Sequence, residues 1–217
     1  VDVALNDDPM NATERLTRQI GFVLEAEKLK AVLRRTSPVG AERRENSAEH
    51  SWTLALMAVL LAEHLNRPVD LGRVLQMILV HDLVEIDAGD TFHYDAAAVA
   101  TKAERETRAA ERIFGLLPDE QGLELRRLWD EFEAGRTAEA RFAGALDRLA
   151  PMLQNFHNAG GSWLRHGVSS QQVAGGRWQV AGRNGNIVLG SERLWEFAVE
   201  LIREAEAKGF FAGDDAG

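Results

Sequence analysis

Residues 77–90 read MILVHDLVEIDAGD. With Val74 and Leu75 upstream, Met77, Ile78, Leu79, Val80, Leu83, Val84 and Ile86 cover nearly the whole circumference of a helix. A helix that is apolar all round is normally buried, so this stretch predicts a core helix in a helical protein. Inside it stand His81 and Asp82. Burying an ionised carboxylate alone is prohibitively costly, so Asp82 must be paired, neutral or bound to a cation.

Working outward, the rest of the chain also reads at helical period. Asp70 can cap the helix that carries the motif, and Ala88-Gly89 can end it. Upstream, Asn46 with Glu49 three residues later forms a capping box that opens a helix to about Leu65. Before it, residues 12–34 make a first helix, followed by the turn-rich link TSPVGAERR. Downstream, a loop over 90–98 leads to a charged helix at about 99–116. Pro118 stands at the next helix entrance, Thr137 caps a helix through about Phe156, and Ser191 caps a last one to about Lys208. Eight of the nineteen glycines lie between Gly160 and Gly190, which predicts mostly loop there. The best strand-like alternation is the short RWQVAG. The expected fold is all-α, a single domain over 1–217 of roughly seven or more helices. Its core covers about 12–157, with a Gly-rich loop at 158–190 and a C-terminal helix at 191–208.

The 217 residues are 45% hydrophobic and 27% charged, enough apolar content for one sizeable core. The absence of cysteine excludes disulfides, thiolate metal sites and cysteine nucleophiles, and fits a cytoplasmic protein. No signal-peptide pattern and no apolar run of membrane-spanning length is expected. A net charge of −9 argues against nucleic acid and acidic membranes as partners. It leaves room for a small anionic ligand held by local arginines.

Three further features bear on His81 and Asp82. His50 lies in the first turns of the preceding helix. The two helices are consecutive and joined by a short link, so they are expected to pack antiparallel, which brings His50 towards His81-Asp82. Asp147 is a lone carboxylate on a largely apolar helix, with small Ala143 and Ala150 a turn to either side. Glu85 follows Asp82 by three residues and His81 by four, on one side of the helix. Asp87 and Asp90 crowd its C-terminal end, where the dipole disfavours negative charge. Together these anomalies favour a metal. The mixed N/O donor set suits Mn²⁺, Co²⁺, Mg²⁺, Ni²⁺, Fe²⁺ or Zn²⁺, and open coordination positions would serve metal-assisted hydrolysis.

His50, His81-Asp82 and Asp147 together resemble the H…HD…D signature of the HD-domain metal-dependent phosphohydrolases. RENSAEHSW followed by HDLVEIDAGD is similar to the 5′-deoxynucleotidase subfamily, and the similarity runs from about Leu29 to Leu153. The resemblance implies a single HD domain holding one divalent metal on His50, His81, Asp82 and Asp147. It also implies Glu85 as general acid/base, Asp90 assisting at the phosphate or the water, and a homodimer. The implied activity is a phosphomonoesterase of 5′-nucleotidase type, acting on (deoxy)nucleoside 5′-monophosphates.

Six basic residues lie between Lys28 and Arg44: Lys28, Lys30, Arg34, Arg35, Arg43 and Arg44. Among these, Arg34, Arg35 and Arg44 are the candidate substrate clamp, since a guanidinium matches phosphate geometry. In the relatives an Arg-Trp pair falls where this chain has Arg34-Arg35, which puts a preference for deoxyribose in question. Pro151 has no N–H for the Asp147 carbonyl, so a kink is expected there. His93 is a candidate pocket residue, and the tryptophans are read as core or interface anchors. Competing readings are hydrolysis of another phosphate ester, a di-iron oxygenase, for which further His and Asp ligands are lacking, and a non-catalytic metal-stabilised interaction domain.

Overall fold

The computed structural model describes residues 11–92, 94–174 and 187–212. His93, Trp178, the RWQVAG stretch and residues 175–186 of the Gly-rich segment lie outside them. Among the described residues there is no β-strand, only an isolated antiparallel bridge between Leu33 and Asn46. The chain is all-α. Its helices are α1 (Ala12–Ala26), α2 (Ser47–Leu61), α3 (Leu71–Val80), α4 (Glu85–Ala88), α5 (Ala96–Phe114), α6 (Asp119–Ala134), α7 (Ala138–His157), α8 (Gly161–Arg165), α9 (Ser170–Ala174), α10 (Ile187–Gly190) and α11 (Glu192–Ala207).

Helices start where a capping side chain meets the apolar period. The Asn46 side chain accepts from the Glu49 N–H at 2.9 Å and the Glu49 carboxylate accepts from the Asn46 N–H at 3.2 Å, a complete capping box. Asp70, Thr137 and Ser191 cap α3, α7 and α11 through the N–H groups of Arg73, Ala140 and Leu194, at 3.1, 3.2 and 3.1 Å. Each bond satisfies a donor that the first turn would otherwise leave unpaired.

The structure departs from the sequence expectations at four places. The first helix is shorter than 12–34: α1 gives way to a 3₁₀ turn over Glu27–Ala31, and Val32 is extended. Extension at Val32 lets the link pair with the entrance to α2, through Arg34 N–H to Glu45 O at 2.9 Å and Glu45 N–H to Thr36 O at 3.0 Å. The motif helix is broken, because α3 ends at Val80 and the turn Val80–Asp87 is closed by three-residue hydrogen bonds such as Glu85 N–H to Asp82 O at 2.9 Å. The charged helix begins at Ala96 rather than 99, because the Asp95 side chain caps it. Among the described residues the Gly-rich segment carries the short helices α8, α9 and α10. Pro151 does not end α7, which continues to His157 as one element.

Helix α7 touches α2, α3, α6, α8, α10 and α11 and is the central element. Leu54 and Ala58 of α2, Met77 and Ile78 of α3, and Phe142 and Leu146 of α7 have no exposed surface. Gly190 makes the contact of α10 with α7 possible, since a Cβ there would stand 2.8 Å from the Arg141 carbonyl oxygen. This layer holds the start of α2, the end of α3 and the middle of α7 together. Leu54→Ala, which opens a cavity in it, is expected to destabilise the protein by about 2–5 kcal/mol, read by urea unfolding at unchanged slope.

Candidate metal centre

The capping box sets the first turn of α2 and presents His50, fully buried, from its inner face. Across from it, α7 presents Asp147 one turn after the small Ala143, and His50 Nε2 lies 2.9 Å from Asp147 Oδ1. The end of α3 supplies His81, whose ring centroid is 5.8 Å from that of His50. One donor atom each from His50, His81 and Asp147 falls within a 4.8 Å cluster, the spacing a single cation requires. The sequence separation of these residues is large, but α2, α3 and α7 pack on one another and converge on this point.

The tautomer of His81 is set by its backbone surroundings. Nδ1 lies 2.8 Å from the Ile78 carbonyl oxygen, which can only accept, so Nδ1 carries the proton. Nε2 then points into the site, 3.1 Å from Asp82 Oδ1 and 3.9 Å from Asp147 Oδ1, with no hydrogen-bond partner. A lone pair facing two carboxylate oxygens needs a positive charge between them. A proton can supply it: burial works against a charged imidazole, but Asp82 and Asp147 outweigh it and raise His81 to about 9. A divalent cation would supply it better, and the donors fit one. Burial likewise opposes ionisation of Asp82 and Asp147. His81 and Arg34 beside Asp82, and His50 and His81 beside Asp147, nevertheless hold both carboxyls well below the usual range.

The three-residue bonding of the turn aims the side chains that follow. Asp82 turns Oδ1 to His81, while Oδ2 accepts from Arg34 Nη1 at 3.0 Å. Glu85 opens α4 and its Oε2 accepts from the Ser47 hydroxyl at 2.7 Å. Burial and the Asp82 charge push the Glu85 carboxyl up to about 8, against the pull of Arg34. Burial raises Asp90 as well. Gly89, at φ 73° and ψ 153°, turns the chain in a conformation that side chains disfavour, and Asp90 Oδ1 then lies 3.8 Å from Arg34 Nη1.

The six basic residues separate into different roles. Arg34, its side chain 13% exposed, lies among Asp82, Asp90 and Glu45, and it lines the cavity with Arg35. Burial would lower the Arg34 pKa, but Asp82, Asp90 and Glu85 raise it, so this cation is permanent. Arg44 stands outside the cavity lining, and its guanidinium donates to the carbonyls of Leu33 and Arg34. It braces the link that carries Arg34. Lys28, Lys30 and Arg43 pair with Glu25, Glu27 and Glu49 at the surface.

Several cavity residues escape a reading by motif. Tyr94, Lys102, Glu106 and Arg148 line the same cavity, and Lys102 Nζ lies 3.1 Å from Glu106 Oε1. Trp163, expected as a core anchor, is buried and also faces the cavity. Glu45 is buried behind His50, although its place between two arginines and a helix cap reads as surface. The position of Arg148, next to Asp147 on an apolar helix, was a signal that could have found it.

The HD domain family model matches residues 26–184. The chain is 34% identical over 137 residues to 5′-deoxynucleotidase HDDC2 of Xenopus laevis, covering 61% of this chain and 67% of that protein. It is 34% identical over 114 residues to the Homo sapiens protein of that name, covering 52% of this chain and 54% of that one. The match thus spans about half to two thirds of these relatives. A solved structure described as a predicted metal-dependent phosphohydrolase, from Magnetospirillum magnetotacticum MS-1, superposes with a TM-score of 0.83 at 49% identity. It covers 92% of this chain and 99% of that one.

Gly89→Ala tests the turn. It is expected to strain the backbone by about 1–3 kcal/mol and to lower turnover through displaced Asp90, with the metal retained. Thermal melts and metal analysis of the one preparation read both effects.

Proposed function

The chain belongs to the HD-domain family, and from that premise we propose that it is a divalent-metal-dependent phosphohydrolase of (deoxy)nucleoside 5′-monophosphates. The observation that carries this reading is the coincidence, in one cavity, of a cation-sized donor cluster with the Glu85 and Asp90 carboxylates and the Arg34 guanidinium. His50, His81 and Asp147 would hold the cation, with Asp82 beside them as the fourth ligand. A bound divalent ion supplies Lewis acidity at the phosphoryl oxygen and lowers the pKa of a water.

The chain's own residues would perform the rest. Arg34 is a fixed positive charge in the site and binds phosphate oxygens, with Arg35 at the cavity wall as a second donor. Glu85, oriented by the Ser47 hydroxyl and facing the cavity beside Asp82, is suited to take a proton from the attacking water and return it to the leaving 5′-oxygen. Ser47 orients that carboxylate, and Asp90 assists at the phosphate. Phe92, Tyr94 and Trp163 give the cavity aromatic surface for the nucleoside.

We also propose a homodimer. Leu16, Ile20, Val23 and Leu24 form an exposed apolar stripe on α1, and Trp52, Leu56, Val59 and Leu60 form another on α2, where Trp52 is 68% exposed. Contiguous apolar surface of this kind marks an association face. A cytoplasmic setting rests on the lack of cysteine alone. Among the described residues no helix is long and apolar enough to cross a membrane.

Phosphate release from a panel of ribo- and deoxyribonucleoside monophosphates, with Mn²⁺, Co²⁺ or Mg²⁺, tests the activity. Glu85→Gln is expected to keep its metal and lose roughly 10²–10⁴-fold in turnover. No release from any nucleotide with any of these metals would sink the assignment. For the dimer, Ile20→Asp with Leu24→Asp should yield a monomer by light scattering where the unmodified protein is a dimer. An unmodified protein that stays monomeric at micromolar concentration removes that part of the proposal.

A further inference from the structure

Glu45 is 2% exposed and belongs to no helix. An acidic side chain this deeply buried is rare unless paired. Its surroundings are all donors. Oε1 accepts from the Gln154 amide of α7, and Oε2 lies 3.3 Å from the Thr36 hydroxyl and 3.5 Å from Arg34 Nε. The same Oε2 lies 3.6 Å from His50 Nδ1.

That last contact faces the metal centre from behind. His50 uses Nε2 towards Asp147, so Glu45 and Asp147 sit on opposite nitrogens of one ring. Nδ1 has no hydrogen-bond partner, and His50 has no exposed surface through which water could serve it. At 3.6 Å the pair is an electrostatic contact rather than a hydrogen bond. For His50 to give a lone pair to a cation through Nε2, its proton must sit on Nδ1. An acceptor behind that nitrogen favours this tautomer and makes the ring a better ligand. His81 has the Ile78 carbonyl in the equivalent place, at 2.8 Å.

We infer that Glu45 is a positioning residue of the metal centre: it holds His50 in the Nδ1-protonated form and orientation that present Nε2 to the cation. Through the same oxygen it holds Arg34, so the link and α2 are registered by one carboxylate. Its bond to Gln154 extends that registration to α7, the helix that carries Asp147. The inference rests on the metal-centre part of the reading above and is independent of which ester is cleaved.

The test uses the full chain with Mn²⁺ or Zn²⁺ as the only ligand. Titration calorimetry of Glu45→Gln, which keeps the size and removes the charge, should show Mn²⁺ binding weaker by about 10- to 100-fold. In the Zn²⁺-loaded protein the His50 Nδ1–H proton resonance should show the downfield shift of a hydrogen bond to a carboxylate in the unmodified chain and lose that shift in Glu45→Ala. Circular dichroism of each metal-free variant confirms that folded protein is being compared. If Ala does not fold, the Gln variant carries both readouts. A folded Glu45→Gln with unchanged Mn²⁺ affinity and unchanged His50 resonances overturns the positioning role alone. An unmodified chain that binds neither metal overturns the metal-centre reading and this inference with it.

Discussion

The contact of His50 Nε2 with Asp147 Oδ1, at 2.9 Å, joins two helices whose residues are 97 positions apart in sequence. Around it, two imidazoles, Asp82 and Glu85 are buried, and Asp147 and Asp90 partly buried, near the junction of α2, α3 and α7. Carboxylates buried at this density repel one another unless positive charge is interposed. Arg34 supplies one such charge permanently. A divalent cation would supply the rest, and the spacing of the His50, His81 and Asp147 donors fits such an ion.

This electrostatic demand explains local choices that look costly in isolation. The break between α3 and α4 gives up regular helical hydrogen bonds, and in return His81 and Asp82 both face the cluster while Glu85 reaches Ser47 on α2. Gly89 takes a backbone conformation open mainly to glycine, and Asp90 comes back towards Arg34. The extended link at Val32–Thr36 pairs with the entrance of α2 instead of continuing the first helix, which places Arg34 in the site and puts Glu45 behind His50.

The remaining cavity surface has a different character. Lys102 and Glu106 come from α5, Arg148 from α7, and Phe92 and Tyr94 from the segment between α4 and α5. The cavity wall thus draws on α5 and on the segment between α4 and α5, and on α7, the helix that also carries Asp147. Rigid placement suits the ligands, which must hold their spacing to within fractions of an ångström.

Much of the fold was legible in the chain because capping and helical periodicity are local. Asn46 with Glu49, Asp70, Thr137 and Ser191 announce helix starts by short-range hydrogen bonds that need no tertiary partner. His81-Asp82 in an apolar run, and Asp147 between alanines, stand out because burial of charge is costly in any fold. What the chain could not disclose depends on who the neighbour is. The interruption of the motif helix follows from where α2 and α7 stand. So does the placement of Arg34 in the site and Arg44 outside it, although both belong to one basic cluster. Glu45 reads as a surface carboxylate until the link folds back and encloses it between α2 and α7. The sequence by itself determined an all-α chain and named the residues able to bind a cation, since periodicity and misplaced polarity are one-dimensional signals. Only the tertiary structure decided which of them meet, because that is set by contacts between residues far apart in the chain.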